Sequence, residues 1–481
     1  MDGIGAWARS SPGSVALIAP GTSVTFGELD ARQRALAGAL LAEGLNRRDR
    51  VAVFATNRVE SLEVSIGVLR AGMVPVPINS LLTEPEVEFL LEDSGARVMF
   101  TDRTVELGPS VEQVITFGDA YERFIHNATP ADISDVALGR PMHYTSGTTG
   151  SPKGVWVEPT DEAEALSLSQ RFRELWGITR DDAHLVCSPL AHSAPHRFSL
   201  RTLEAGGHVV LQGKFDAAET LAATELFGIT TTFMVPTHLE RIFGLGRQAL
   251  ARHDLSTMRL LAHAGAPIRD RTKREALEIF PEGSVWEFYG STEGQATRIS
   301  TEEWLARPGS VGHALPGGEV VIADNDGNEL PRGEIGWVWV RDPSGEEWEY
   351  WGDAAKTRNA WSGEAFCVGD LGSVDEEGYL FLAGRGDDTI ITGGVNVYPM
   401  EIENVLVSHP SVAEALVYGV AHEEWGQEVR ALVVPAFNQP LDTEVLRAWA
   451  RTQLAGFKCP RLIEIVDDLP RTPTGKVQRR P

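Results

Sequence analysis

YTSGTTGSPKGV, residues Tyr144 to Val155, is the stretch from which the fold can be read outward. Glycines at 147, 150 and 154 leave backbone N–H groups open to approach. Thr145, Ser146, Thr148 and Thr149 add hydroxyls, and Lys153 adds one cation. Together these groups suit a polyphosphate. The segment is not a Walker A loop, which needs GxxxxGK[ST] opening a helix; here Pro152 precedes the lysine and Gly154 follows it. A Ser/Thr/Gly linker would account for an isolated GTTG, but not for twelve residues in this order.

On either side of this segment the chain alternates apolar runs with helical patterns. Thr25-x-x-Glu28 is a capping box ahead of Leu29, Leu36 and Leu40 on one helical face. Strand-like runs follow at Val51–Phe54, Met73–Ile78 and Arg97–Phe100, and again at His184–Cys187, His208–Leu211, Thr231–Val235, Leu260–His263 and Val285–Phe288. This rhythm predicts α/β architecture, with parallel βαβ sheets flanked by helices. Ligands of such sheets sit beyond the carboxyl ends of strands. Those ends read SPLAH (Ser188–His192), VPT (Val235–Thr237), AGAP (Ala264–Pro267) and YGSTEG (Tyr289–Gly294). From Pro331 the strand-like segments shorten, as at Ile335–Val340 and Tyr379–Leu382, and the last hundred residues read as a small α+β unit with helices near Pro399–Ser408 and Thr443–Leu454. The boundary falls in GRGDDTIITGG (Gly384–Gly394), giving domains 1–384 and 385–481.

Composition removes several classes of function. The 481 residues carry a formal charge of −25, so the chain has no electrostatic footprint for nucleic acid and is repelled by anionic lipid. Lysine is scarce, six against 37 arginines, and two of the six, Lys153 and Lys476, lie in glycine-containing motifs. The three cysteines form no CxxC pair, which argues against a zinc site or a disulfide framework. No run approaches 18 apolar residues and the N-terminus lacks a signal-peptide pattern, so a soluble cytoplasmic protein is expected.

With these motifs in hand, the chain resembles the adenylate-forming superfamily, which includes acyl-CoA synthetases, firefly luciferase and peptide-synthetase adenylation domains. AGAP at Ala264, FYGSTEG at Phe288, GD at Gly369, GRGDDTIITGGVNVYPMEIE from Gly384 and PRTPTGK ending at Lys476 follow the family's order over nearly the whole length. The resemblance implies a large N-terminal domain and a small mobile C-terminal one, with ATP and Mg²⁺ as cofactors and CoA as co-substrate. It puts Thr145, Ser146, Gly147, Thr148, Thr149 and Lys153 on the phosphates. Tyr289 and Gly290 would lie at the adenine, with Gly265, Ala266 and Pro267 against its other face. Asp370 would meet the ribose hydroxyls and Arg385 the ribose and phosphate. Glu293, a hard oxygen ligand, would hold Mg²⁺. The implied catalytic set is Lys476, Glu293 and Thr292, with Lys476 offsetting the charge that develops when a carboxylate attacks the α-phosphate. Asp387 matches the hinge position, and Gly393 and Gly394 resemble the loop lining the pantetheine tunnel.

Two positions depart from the family pattern. The histidine that usually follows PKGV is missing from GVWVEPTDEA, and PLAH puts Ala191 where an aromatic ring is common. The acid pocket by position is His192, Ser193, His196, Arg197, Met234, Val235, His263, Gln295 and Ala296, more polar than an alkyl chain requires. An aromatic, functionalised or medium-chain acid is therefore expected. The leading expectation is an acid–CoA ligase acting through an acyl-adenylate. The alternatives are a carrier-protein loader or a diazotase joining nitrite to an aryl amine. Its partners would be that small acid (or nitrite and amine) and a second copy of the chain in a homodimer, with no nucleic acid and no membrane span. Weaker matches carry no function: GLGRQA at Gly244 follows a helix rather than a strand, His192 and His196 flank Pro195 without HExxH, and Asn127-Ala128-Thr129 is a sequon without a secretory route.

Overall fold

The computed structural model describes residues 3–106, 108, 111–133, 136, 139–145, 152–437, 439–471 and 477–479. It divides into two compact units. One comprises Met1–Pro308 with Asp342–Ser362, the other Gly309–Arg341 with Gly363–Pro481. The fold is mixed α/β with parallel sheets, as the rhythm of apolar runs predicts.

In the first unit, Leu260–His263, Thr231–Met234, Ala183–Val186, His208–Leu211 and Val15–Ala19 lie side by side and parallel. Val285–Gly290 extends this sheet in parallel, and Gln295–Ile299 then pairs antiparallel with Val285–Gly290. Strand order reverses between Ala183–Val186 and Thr231–Met234. The chain leaves the former toward His208–Leu211 and the latter toward Leu260–His263. That reversal opens a crevice at the carboxyl ends, just where SPLAH and VPT begin.

A second parallel sheet runs Val74–Ile78, Arg50–Phe54, Val98–Thr101, Gln113–Thr116. Pro75 and Pro77 lie in its outermost strand, where a missing N–H leaves no interior ladder bond unmade. The capping box forms as read: Thr25 Oγ1 accepts from the Glu28 backbone N–H, and Glu28 accepts from the Thr25 N–H at 2.8 Å, opening the helix Phe26–Ala42. A three-stranded antiparallel sheet, Trp348–Tyr350, Lys153–Val157, His143–Thr145, completes the unit.

The second unit starts earlier than the pattern change at Pro331 suggests. Glu319–Ala323, Gly336–Arg341, Asp370–Val374 and Leu380–Arg385 form an antiparallel sheet. The long hairpin Val412–His422 and Gly426–Pro435, joined by Leu462–Ile465, packs beside the helices Pro399–Ser408 and Thr443–Gln453 around Ile402, Leu406, Val417, Val433 and Leu446. Among the described residues, no helix is long and apolar enough to cross a membrane.

Candidate active site

Thr145 and Lys153 are cross-strand partners at the base of a hairpin. Ser146, Gly147, Thr148 and Thr149 lie outside the described residues, as does Lys476. The Lys153 ammonium stands 4.7 Å from the centroid of the Tyr350 ring, within cation–π range. Tyr350 Oη in turn donates to Glu293 Oε1 at 2.8 Å. This bond engages one carboxylate oxygen of a buried glutamate. Lys153, Tyr350 and Glu293 therefore link the glycine-rich hairpin to the YGSTEG loop. Arg140 strengthens that loop by donating to the Thr292 carbonyl at 2.9 Å while pairing with Glu346 at 3.4 Å.

The neighbouring strand ends lie side by side. His263 pairs in register with Glu287, so Gly265, past the end of its strand, and Tyr289, on the adjoining strand, both stand two residues beyond that pair. Gly265 has φ +88°, a conformation that a side chain would strain, and this explains glycine at that position. Ala266 and Pro267 follow it in the turn before the helix Asp270–Ile279, and Gly290 closes the strand Val285–Gly290. Gly290 lies so close to the return strand that a Cβ would stand 2.8 Å from the Gly294 carbonyl oxygen.

The acid-side residues divide into two groups. His192 caps the helix Ser193–Ala205 and opens to solvent; Ser193 and Arg197 are half-buried on its first turns. His196 instead turns inward, its Nε2 2.7 Å from Ser65 Oγ and its ring edge-on to His143 at 6.0 Å. Burial pushes the His196 pKa down to about 4 and holds that of His143 well below the usual range. His143 Nδ1 donates to the Ala191 carbonyl at 2.9 Å, fixing its tautomer. Met234 lies in a core cluster with Leu185, Leu239 and Ile242; Val235 packs against a second cluster that includes Trp176, Phe198 and Phe233, and Ala296 is buried beside Gln295.

His263 sits in a buried network that the sequence did not announce. Lys273 Nζ donates to His263 Nε2 at 2.5 Å and pairs with Glu287 at 3.2 Å. An ammonium only donates, so His263 Nε2 accepts and its proton resides on Nδ1. Burial lowers the Lys273 and His263 pKa values and raises that of Glu287. His263 Nδ1, Ser291 Oγ and Gln295 Nε2 are buried without a partner among the described residues. They cluster where the strands Leu260–His263, Val285–Gly290 and Gln295–Ile299 adjoin, and buried polar atoms without a partner are uncommon.

In the second unit, Asp370 and Arg385 are cross-strand neighbours joined by a 2.8 Å ion pair. Asp387 lies in a 3₁₀ turn, Gly386–Asp388. Gly393 and Gly394, at φ +58° and +80°, connect Ile390–Thr392 to Val395–Val397 in a two-residue hairpin of the kind that needs φ above zero at both positions.

Tyr350 and Arg140 are the site residues that sequence reasoning missed. The aromatic run Trp348–Trp351 was the available signal. Its distance from the glycine-rich motif in the chain hid the contact.

Comparison with known proteins agrees with this geometry. Residues 4–346 match the family model "AMP-binding enzyme" and residues 401–476 match "AMP-binding enzyme C-terminal domain". The chain belongs to this family of adenylate-forming ligases. It is 34% identical to the fatty acid–[acyl-carrier-protein] ligase ScoC of Streptomyces coeruleorubidus, covering 98% of this chain and 93% of the relative. It is also 34% identical to a feruloyl-CoA synthase of an Amycolatopsis species, over 99% and 97% of the two chains. The o-succinylbenzoate CoA synthetase of Bacillus subtilis, solved with its acyl-adenylate intermediate, superimposes with a TM-score of 0.87 at 28% identity, over 99% of this chain and 97% of that one.

Proposed function

We propose that the protein is a cytoplasmic, ATP- and Mg²⁺-dependent acid–CoA ligase. A carboxylate attacks the α-phosphate of ATP to give acyl-AMP and pyrophosphate; the thiol of CoA then displaces AMP to give the thioester. The contact chain Lys153–Tyr350–Glu293 carries this reading, because it ties the glycine-rich hairpin, whose groups suit a polyphosphate, to a buried carboxylate at the strand ends.

Thr145, Ser146, Gly147, Thr148, Thr149 and Lys153 would hold the phosphates. Tyr289, Gly290 and the turn at Gly265–Pro267 would hold the base, and Asp370 and Arg385 the ribose. Glu293 has a carboxylate oxygen besides the one bonded to Tyr350, and one carboxylate plus substrate phosphates is a normal way to hold Mg²⁺. When bound, the metal would neutralise phosphate charge. The aromatic cluster of Phe172, Trp176, Phe198, Phe233 and Phe288 beside the acid-side helix favours an aromatic or functionalised acid.

The acceptor is the open element, since relatives of equal identity are named for a carrier protein and for CoA. Pyrophosphate release from MgATP across fatty acids, aryl acids and nitrite, with and without CoA, tests the reading. Release that needs an organic acid, with thioester on adding CoA, is the expected outcome. Release with nitrite and an aryl amine and no thioester would replace the ligase by a diazotase. Transfer to a carrier protein alone would make it a loader.

A further inference from the structure

We infer that Arg197 selects an acid bearing a second anionic group, so that the substrate is a carboxylic acid with a distal carboxylate or comparable anion. This rests on the ligase reading above.

Arg197 lies five residues past His192, on the helix that starts at the strand-order reversal. Arg140, Glu346, Asp342 and Arg201 lie near enough to act on its charge. Each of these is already engaged. Glu346 pairs with Arg140 at 3.4 Å, and Arg201 pairs with Glu204 at 2.7 Å. Asp342 accepts the backbone N–H groups of Gln295 at 3.0 Å and Ser344 at 2.8 Å. Among the described residues, the Arg197 guanidinium makes no hydrogen bond or ion pair; its close neighbour is the Phe172 ring, 6.0 Å from guanidinium carbon to centroid. Burial, reinforced by Arg140, pushes its pKa down to about 10, and it stays charged at neutral pH.

A half-buried cation whose acidic neighbours are engaged elsewhere is an unsatisfied feature, and a planar guanidinium matches a carboxylate better than any other anion receptor in the side-chain repertoire. Its place also fits one end of a substrate. Arg140 and Asp342 hold the backbone at Thr292 and Gln295, on either side of Glu293. The same charged cluster thus reaches from the loop at the reacting end to Arg197. An acid lying along the aromatic wall between them would present its far end to the guanidinium.

The test compares three acids of one shape: 3-phenylpropionate, its 4-carboxy derivative, and the methyl ester of that 4-carboxyl group. For each, kcat/KM for pyrophosphate release is measured in the wild-type enzyme and in Arg197→Gln and Arg197→Lys. The wild type should prefer the 4-carboxy acid over its ester by at least about tenfold, the scale of one charge-assisted pair. Arg197→Gln should abolish that ratio and Arg197→Lys should keep part of it. Because a ratio is read, partial loss of fold lowers both rates alike and leaves the test intact. An unchanged ratio in Arg197→Gln overturns the proposal. So does a rise in the KM for ATP that is equal for all acids, which would assign Arg197 to the triphosphate. If no organic acid in the wider panel releases pyrophosphate, the ligase reading has failed instead.

Discussion

Burial fixes the charge state of the imidazoles around the crevice before any substrate arrives. His196 is 1% exposed, and its pKa falls from an ordinary 6.5 to about 4. The unfolded chain therefore takes up the proton first, so stability from this ring is complete above pH 6.5 and is lost as pH falls toward 4. Between pH 7.5 and 5.0 it contributes about 2 kcal/mol of acid sensitivity. Urea unfolding at the two pH values should show a smaller loss in His196→Gln than in the wild type; equal losses would mean that the ring is solvated. Lys476 makes the other residue-scale prediction. Lys476→Ala should remove adenylate formation and leave ATP binding largely intact, measured by pyrophosphate exchange beside nucleotide titration. A removed transition-state cation lowers kcat without matching loss of ground-state affinity. Near-normal exchange in that variant would end the role given to Lys476.

At the scale of elements, the turn Gly386–Asp388, which contains Asp387, is held by shape. A Cβ at Gly386 would stand 2.1 Å from the Trp337 ring, and that indole is itself anchored by donating to Asn325 Oδ1 at 2.7 Å. Gly386→Ala should therefore destabilise the second unit by about 1–3 kcal/mol, the usual cost of overpacking. Trp337→Leu, which gives the new methyl room, should cancel much of that cost in a double-mutant cycle followed by thermal unfolding. Additive losses would show that the two residues do not press on each other. The same scale shows how local signals work. The capping box at Thr25 and the helix Pro399–Ser408 were legible because their hydrogen bonds and apolar spacing lie within one turn or two. Of the sheet beginning at Glu319, the strands near Ile335–Val340 and Tyr379–Leu382 were legible, but Glu319–Ala323 and Asp370–Val374 were not, since short antiparallel strands gain their stability from cross-strand neighbours rather than from their own sequence.

For the whole molecule, we propose that residues 385–481 turn about Asp387 between the two half-reactions. Proline fixes φ near −65° and removes an N–H, so Asp387→Pro should trap one arrangement. One half-reaction should then fall by at least about tenfold while the other survives, with pyrophosphate exchange reporting the first and thioester formation from supplied acyl-adenylate the second. Equal loss of both would point to misfolding, and no loss would remove Asp387 as the pivot.

The sequence by itself determined the family, the α/β class and the strands whose carboxyl ends meet at the strand-order reversal. Motif order, βαβ rhythm and the glycine-rich hairpin are encoded within short windows. It also named Thr145, Lys153, Glu293, Asp370 and Arg385, and the structure pairs Thr145 with Lys153 and Asp370 with Arg385 across strands. Tertiary structure alone decided that Tyr350 joins Lys153 to Glu293, that Lys273 and Glu287 enclose His263, that His196 turns toward Ser65, and that Arg197 is left with its acidic neighbours engaged elsewhere. The reason is separation along the chain. Tyr350 lies 57 residues from Glu293 and Ser65 lies 131 from His196, and no periodicity in a short window carries a contact closed over such a distance.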